Sequence, residues 1–439
     1  MRVKFILVII SFFKVFLVIA VKKQRLKFLK FSLSEIRIRG LANSARALLR
    51  LSSAKVRPFD QVDNCSISPK KYIGRILFID FRLPMPDKDA GSLTAVLLID
   101  ILQSLGFEIL FFPTNKSYMP VYYEELLCKG VTVLTFPRTI SLAYWLKENG
   151  STIDYVWASR GPELNAYYEV IRRCAKKAKI IFYTVDIHYI RMAREARLKK
   201  SKQLLNESRQ LKKMEVSLAM LSEATIVLSD YEHQVLQRNG VSSPIIVLPL
   251  IYRDMPGPNK SYSSRRDILF IGGFDHTPNV DAVLYFANEI FPIVNKYLPK
   301  IKLRIVGSNP SDQIMALART TNIEVLGYIK DLTDELQDAR ISIAPLRFGA
   351  GLKGKVGISM CYGLPCVATP VASEGMDLTS EKEILIAEDA ISFANQVIRL
   401  YQDQVLWETL SINSFKYAND NFSFNQARNK INSLINVIH

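Results

Sequence analysis

Histidine and cysteine are both scarce, with four His and five Cys in 439 residues. Cys65, Cys128, Cys174, Cys361 and Cys366 form no CxxC pair and no metal-ligand cluster with the histidines. A Cys/His metal module is therefore set aside, and so is a secreted disulfide scaffold; a reduced, cytosolic compartment is the expectation. No internal repeat and no low-complexity tract is present, which excludes a solenoid or an extended linker protein. Charged residues at 23% and hydrophobic residues at 49% mark a globular chain, long enough for two domains.

Acidic residues are all but missing from one place. Residues 1–57 hold fourteen Lys/Arg and a single acid, Glu35, so most of the net charge of +17 sits there. A basic tail meets phosphate, on nucleic acid or on anionic lipid. Phe5 to Val21 is apolar except for Ser11 and Lys14, which share one helical face. As a helix this run spans about 25 Å, a little short of a hydrocarbon core of about 30 Å. Lys14 near its midpoint would cost about 2.5–3.5 kcal/mol in a full span, less if it snorkels. Lys22, Lys23, Arg25, Lys27 and Lys30 follow, and no A-x-A-like cleavage site precedes them. The expectation is a basic, apolar helical extension, transmembrane or interfacial. It would attach the protein through residues 1–30 to an anionic membrane surface at the cytoplasmic face, with no nucleic-acid partner. The alternative is a helix packed on the protein itself.

From Ile76 onward, short apolar runs alternate with amphipathic stretches. ILFIDF (76–81), EILFF (108–112), VTVLTF (131–136), YVWAS (155–159), KIIFYTVDIH (179–188), ATIVLSD (224–230) and PIIVLPL (244–250) read as parallel strands covered on both faces. One long helical pattern runs from about Ile190 to Leu221. Residues 252–266, with Pro256, Gly257 and Pro258, read as a linker. Alternation then restarts with DILFIGGF (267–274), KLRIVGS (302–308), IEVLGYI (323–329), ISIAPL (341–346), PCVATP (365–370) and EILIA (383–387), and residues 389–439 read as helical. The pattern predicts an α/β protein of two doubly wound, Rossmann-like domains facing a cleft. Their bounds are 58–251 and 267–421, followed by a C-terminal helix over 422–439. Ligands of such sheets bind at the carboxyl ends of the strands.

The sharpest motif is RFGAGLKGKVGISMCYGLPCVATPVASEGM (347–376), a glycine-rich loop between a strand and a short helix. Gly349, Gly351 and Gly354 permit close backbone approach. The helix start, with Lys353 and Lys355, suits an anion, and a diphosphate best of all. The plain alternative is a tight surface loop with two solvated lysines. Asp87-Lys88-Asp89 spells a DxD, but it follows Pro84 and Pro86 and precedes Gly91-Ser92, so Asp89 is expected to cap a helix; no required metal and no cofactor are expected.

The stretch 347–376 resembles the C-terminal domain of retaining, family-4 type (group 1) glycosyltransferases of the GT-B fold. FIGGFDHTPNVDAVLYFANEIFPIV (270–294), IVGS (305–308) and YIKDLTDELQDARISIAPL (328–346) resemble family segments in the same order. In the first domain DFRLPMPDKDAGS (80–92) and YTVDIHYIRMAREARL (183–198) do so too. The resemblance implies a metal-independent transfer of a hexose-type sugar from a nucleotide-sugar donor to a glycan or lipid-linked acceptor. It also implies that Gly272, Gly273, Gly351, Lys353 and Lys355 hold the donor, with His188 near the donor sugar and Asp186 beside it. Gly91, Arg160 and Arg191 are then expected on the acceptor side, with Arg194 facing acceptor or phosphate. One departure stands out: the family glutamate that grips the donor ribose is matched by Ile358, which cannot accept those hydrogen bonds. Glu374, in the neighbouring turn, is the expected substitute. A degenerate homologue that binds sugar nucleotide or scaffolds a partner enzyme is the alternative reading.

Overall fold

The computed structural model describes residues 72–135, 141–349 and 351–439. The N-terminal extension, and with it the expected membrane attachment, lies outside the described residues. Among those described, no helix is long and apolar enough to cross a membrane.

The first domain is a parallel seven-stranded sheet in the order β3-β2-β1-β4-β5-β6-β7. Its strands are β1 (Gly74–Asp80), β2 (Phe107–Pro113), β3 (Thr132–Val133), β4 (Tyr155–Ser159), β5 (Lys179–Tyr183), β6 (Ala224–Val227) and β7 (Ile245–Val247). The near-continuous apolar runs follow from burial on both faces. Ile76 and Phe78 of β1 enter one core while Leu77 and Ile79 enter the other. Helices α1 (Ala90–Ser104) and α2 (Pro120–Cys128) cover the first face, and α3 (Leu142–Asn149), α4 (Gly161–Cys174) and, later in the chain, α6 (Lys202–Leu221) cover the second.

Two local readings change. The apolar stretch 179–188 is not one strand: β5 ends at Tyr183, Val185 takes a positive φ of 65°, and His188 opens α5 (His188–Leu198). The helical pattern 190–221 breaks at Lys200, with a positive φ of 48°, and α6 restarts on the Ser201 cap. Helix α7 (Asp230–Arg238) then links β6 to β7.

The second domain is a parallel six-stranded sheet, β10-β9-β8-β11-β12-β13. It comprises β8 (Arg266–Ile271), β9 (Leu303–Val306), β10 (Ile323–Gly327), β11 (Ala339–Ala344), β12 (Cys366–Ala368) and β13 (Leu385–Ile386). The strand order reverses between β8 and β11 here, and between β1 and β4 in the first domain, which puts a ligand crevice at the ends of those strands. Arg265 fixes the entry to this domain. Fully buried, it donates to the carbonyls of Leu336, Ala339 and Tyr362 at 2.8–3.2 Å. Burial lowers its pKa to about 10.

The last helices divide between the domains. In order after α7, the helices are α8 (Thr277–Tyr285), α9 (Phe291–Tyr297), α10 (Asp312–Ala316), α11 (Thr333–Asp338), α12 (Gly354–Cys361), α13 (Pro370–Ser373), α14 (Ala390–Gln402), α15 (Gln404–Phe422) and α16 (Phe424–Ile438). Trp407, Leu410, Ala418 and Phe422 of α15 pack in the second core, whereas Ala427, Ile431, Leu434, Ile435 and Ile438 of α16 pack back in the first. The return passes the linker, where Tyr252 N donates to the Phe422 carbonyl at 2.8 Å and Phe424 N to the Tyr252 carbonyl at 3.0 Å.

Candidate active site

β8 ends in Gly272-Gly273, and the turn is glycine for want of space. A Cβ on Gly272 would lie 2.8 Å from Asn279 Cγ, and one on Gly307 would lie 2.0 Å from the Gly272 carbonyl oxygen. Asn279, on α8, ties this turn to the glycine-rich loop: its Nδ2 donates to the Gly273 carbonyl at 2.8 Å and its Oδ1 accepts from Lys355 Nζ at 2.6 Å. The Lys355 ammonium also stands 4.3 Å above the Phe270 ring, and burial pulls its pKa down to about 7. Lys353 precedes α12 as its N-cap and is only 9% exposed, with Nζ donating to the Gly351 carbonyl. Burial lowers its pKa to about 8. Lys353 is thus buried and Lys355 half-buried. Gly349 and Gly351 take φ of 147° and 69°, the region that favours glycine.

The first domain meets this loop directly. A Cβ on Gly351 would lie 3.4 Å from the Asp186 Cβ. The Asp186 carboxylate lies 3.0 Å from His188 Nε2 and 3.2 Å from Arg191 Nη1. His188 Nδ1 lies 2.9 Å from Glu215 Oε1, so both ring nitrogens face carboxylates. Glu215, 3% exposed on α6, also accepts from the backbone N–H of His188 and Tyr189. Glu232, buried on α7, accepts from the N–H of Ile187 and Leu228, and burial raises its pKa to about 7. Two buried carboxylates thus hold the irregular turn that presents Asp186. Arg194 grips both oxygens of Glu374 at 2.6 Å.

Asp186, His188, Arg191, Arg194, Gly351, Lys353 and Glu374 are brought together at this junction, with Gly272, Gly273 and Lys355 joined to it through Asn279 and the loop. His276, exposed at the start of α8, joins them: partial desolvation of its ring and the charges of Lys355, Arg191 and Lys353 lower its pKa. Gly91 and Arg160 form a separate group at the ends of β1 and β4. Arg160, with φ 71°, pairs with Asp80, and a Cβ on Gly91 would lie 3.7 Å from Arg160 Nη2. Burial raises Asp80 to a pKa of about 6 against the lowering effect of Arg160. Ile358, on α12, packs against the second-domain core. Asp89 caps α1 through the Ser92 N–H at 2.8 Å, while Asp87 accepts from Tyr122 Oη at 2.8 Å. Among the described residues, no three His, Cys, Asp or Glu are grouped to hold a metal ion. Sequence reasoning missed Asn279, Glu215, Glu232 and His276; a polar residue inside an apolar helical pattern is the one available signal for Glu215.

Residues 265–403 match the family described as "Glycosyl transferases group 1". A protein of Klebsiella pneumoniae described as "Uncharacterized 44.6 kDa protein in cps region" is 26% identical over 164 residues, 36% of this chain and 42% of that protein. Among solved structures, HepE of Anabaena in complex with UDP and glucose superposes with a TM-score of 0.61 at 14% identity, covering 83% of this chain and 100% of that one. TarM of S. aureus gives a TM-score of 0.54 at 14% identity, over 67% of this chain and 58% of that one. The chain thus spans less than two thirds of the length of the K. pneumoniae protein and of TarM. The fold is that of the GT-B glycosyltransferases, and within the second domain residues 265–403 match the group 1 family, as the motifs there led one to expect.

Proposed function

We propose that this protein moves a sugar from a nucleoside-diphosphate sugar, held by the second domain, to a glycan or lipid-linked acceptor held against the first. One observation carries this reading most directly. A buried lysine, Lys353, and a half-buried one, Lys355, stand at the start of α12 beside the Gly272-Gly273 turn, and the Asp186–His188 wall faces them. Departure of a nucleoside diphosphate needs charge stabilisation, and prepositioned cations in a water-poor site supply it without a metal. A desolvated lysine gains more from a diphosphate than an exposed one, because the anion replaces lost hydration. Asp186 and His188 are assigned to the donor sugar, with Arg191, Arg160 and Gly91 towards the acceptor. The resemblance to retaining enzymes supports transfer of a hexose with retention. The K. pneumoniae relative from a cps region supports a setting in cell-surface polysaccharide assembly.

We assign residues 1–30 to attachment at the cytoplasmic face of an anionic membrane, from their charge and apolar run. Recovery of the full-length chain in the soluble fraction of a low-salt lysate with membranes present would overturn that assignment.

A second reading is favoured by Ile358 and by the engagement of Glu374 with Arg194: a homologue that binds sugar nucleotide without transferring sugar. Incubation with a panel of sugar nucleotides, scoring hydrolysis and transfer, separates the two. Turnover of one donor supports the enzyme; binding without turnover supports the second reading.

A further inference from the structure

Both domains converge on Arg194. From α5 of the first domain its guanidinium donates to the two carboxylate oxygens of Glu374, each at 2.6 Å, and to the Gly349 carbonyl at 3.2 Å. Glu374 and Gly349 belong to the second domain and lie on either side of the lysine pair in the sequence. The backbones are equally close here: a Cβ on Gly375 would lie 3.0 Å from the Ser229 Cβ. A further contact between the domains has Tyr328 Oη donating to the Asp87 carbonyl at 2.9 Å, with Lys88 4.5 Å from the centre of its ring. The chain itself crosses between domains at Tyr252 and Phe422–Phe424.

We propose that Arg194 is the positioning residue for the donor loop, so that closing the cleft and setting the conformation around Lys353 are a single event. The proposal rests on reading that loop as a diphosphate site. Its physical basis is the planar guanidinium, which matches a carboxylate in a fork while a third N–H takes the carbonyl. Gly349 takes a φ of 147°, a backbone conformation that other residues rarely adopt, and its carbonyl accepts this third N–H. Fixing its carbonyl orients the turn from which Lys353 reaches back to the Gly351 carbonyl. In this state the carboxylate of Glu374 serves closure and is not a free ribose ligand. The pair is 30% and 33% exposed, so it adds little to folding, yet it ties α5 of the first domain to the turn of the second that carries Glu374.

The test uses the full chain with Arg194→Met, Arg194→Lys, Glu374→Gln and the Arg194→Met/Glu374→Gln double variant. Small-angle scattering without nucleotide reads closure, and titration with UDP, ADP and GDP reads the loop. Both single variants are expected to raise the radius of gyration and to weaken the tightest diphosphate by about tenfold. The double variant is expected to lose no more than either single one, and Arg194→Lys to fall between wild type and Arg194→Met. An unchanged radius in both single variants, or losses that simply add, overturns the proposal. If the wild type binds no diphosphate, the proposed function falls while the scattering still decides the clasp. Circular dichroism on the same samples guards against misfolding.

Discussion

Replacing Lys355 by Met should make the protein more stable and less able to bind a diphosphate. The lysine is hydrogen-bonded to Asn279 Oδ1 at 2.6 Å and stacked 4.3 Å from the Phe270 ring centre, and burial lowers its pKa from 10.5 to about 7. At about 1.4 kcal/mol per unit, that shift sets an upper bound of about 4–5 kcal/mol on the cost of keeping the amine in place. Protein relaxation and residual water reduce it, and Met also gives up the Asn279 bond and the ring contact, together about 1–2 kcal/mol. A net gain of about 1–2 kcal/mol at pH 7 is expected, within the range of stabilising changes at functional sites. The sign with pH follows from proton counting. Between about pH 7 and 10.5 the unfolded lysine holds its proton and the folded one does not, so wild-type stability rises with pH through that window. Urea unfolding at pH 6.5 and 9.5 should therefore show the variant ahead at the lower pH and the gap reduced at the higher one. A variant that is less stable by the same amount at both values would show that Lys355 anchors the fold and carries no desolvation cost.

Glu232→Gln should flatten the acid side of the stability profile. Burial raises its pKa from 4.5 to about 7, so the folded state binds more protons in that window and wild-type stability falls as pH rises through it. The amide also turns one donor towards an N–H of Ile187 or Leu228, a loss of about 1–3 kcal/mol readable as a lower thermal midpoint. Removing residues 424–439 should unfold the first domain first, because α16 supplies five buried apolar side chains to its core; fluorescence of Trp157 and limited proteolysis would report it. Ile358→Glu should tighten nucleotide binding if the side chain reaches the ribose, since a carboxylate accepts from both hydroxyls. If instead the packing of Ile358 against the core leaves the new carboxylate unpaired, the melting temperature drops; a stable variant with unchanged affinity would refute the alignment of this helix.

Much of the fold was legible because the central strands of both sheets are covered on two faces, and that requirement is written locally as apolar runs. The glycine-rich loop and the turn after β8 were legible for a similar reason: positive φ at Gly349 and Gly351, and backbone crowding at Gly272, demand a residue type that stands out in the sequence. What escaped was tertiary. Lys355 meets Asn279 across 76 positions and Arg194 meets Glu374 across 180, and no local pattern announces such partners. The amphipathic face of α16 announces burial but not which domain provides the cover. The break at Lys200 lies in a run of good helix formers, where no Gly or Pro signals a turn.

The most direct test of sugar transfer is equilibrium binding of a panel of nucleoside-diphosphate sugars to the purified chain, beside the Lys353→Ala/Lys355→Ala variant. The account predicts that the wild type selects one nucleotide and that the double change abolishes that binding while the variant stays folded. Wild-type protein that binds none of the panel, or binding that survives loss of both lysines, would contradict it.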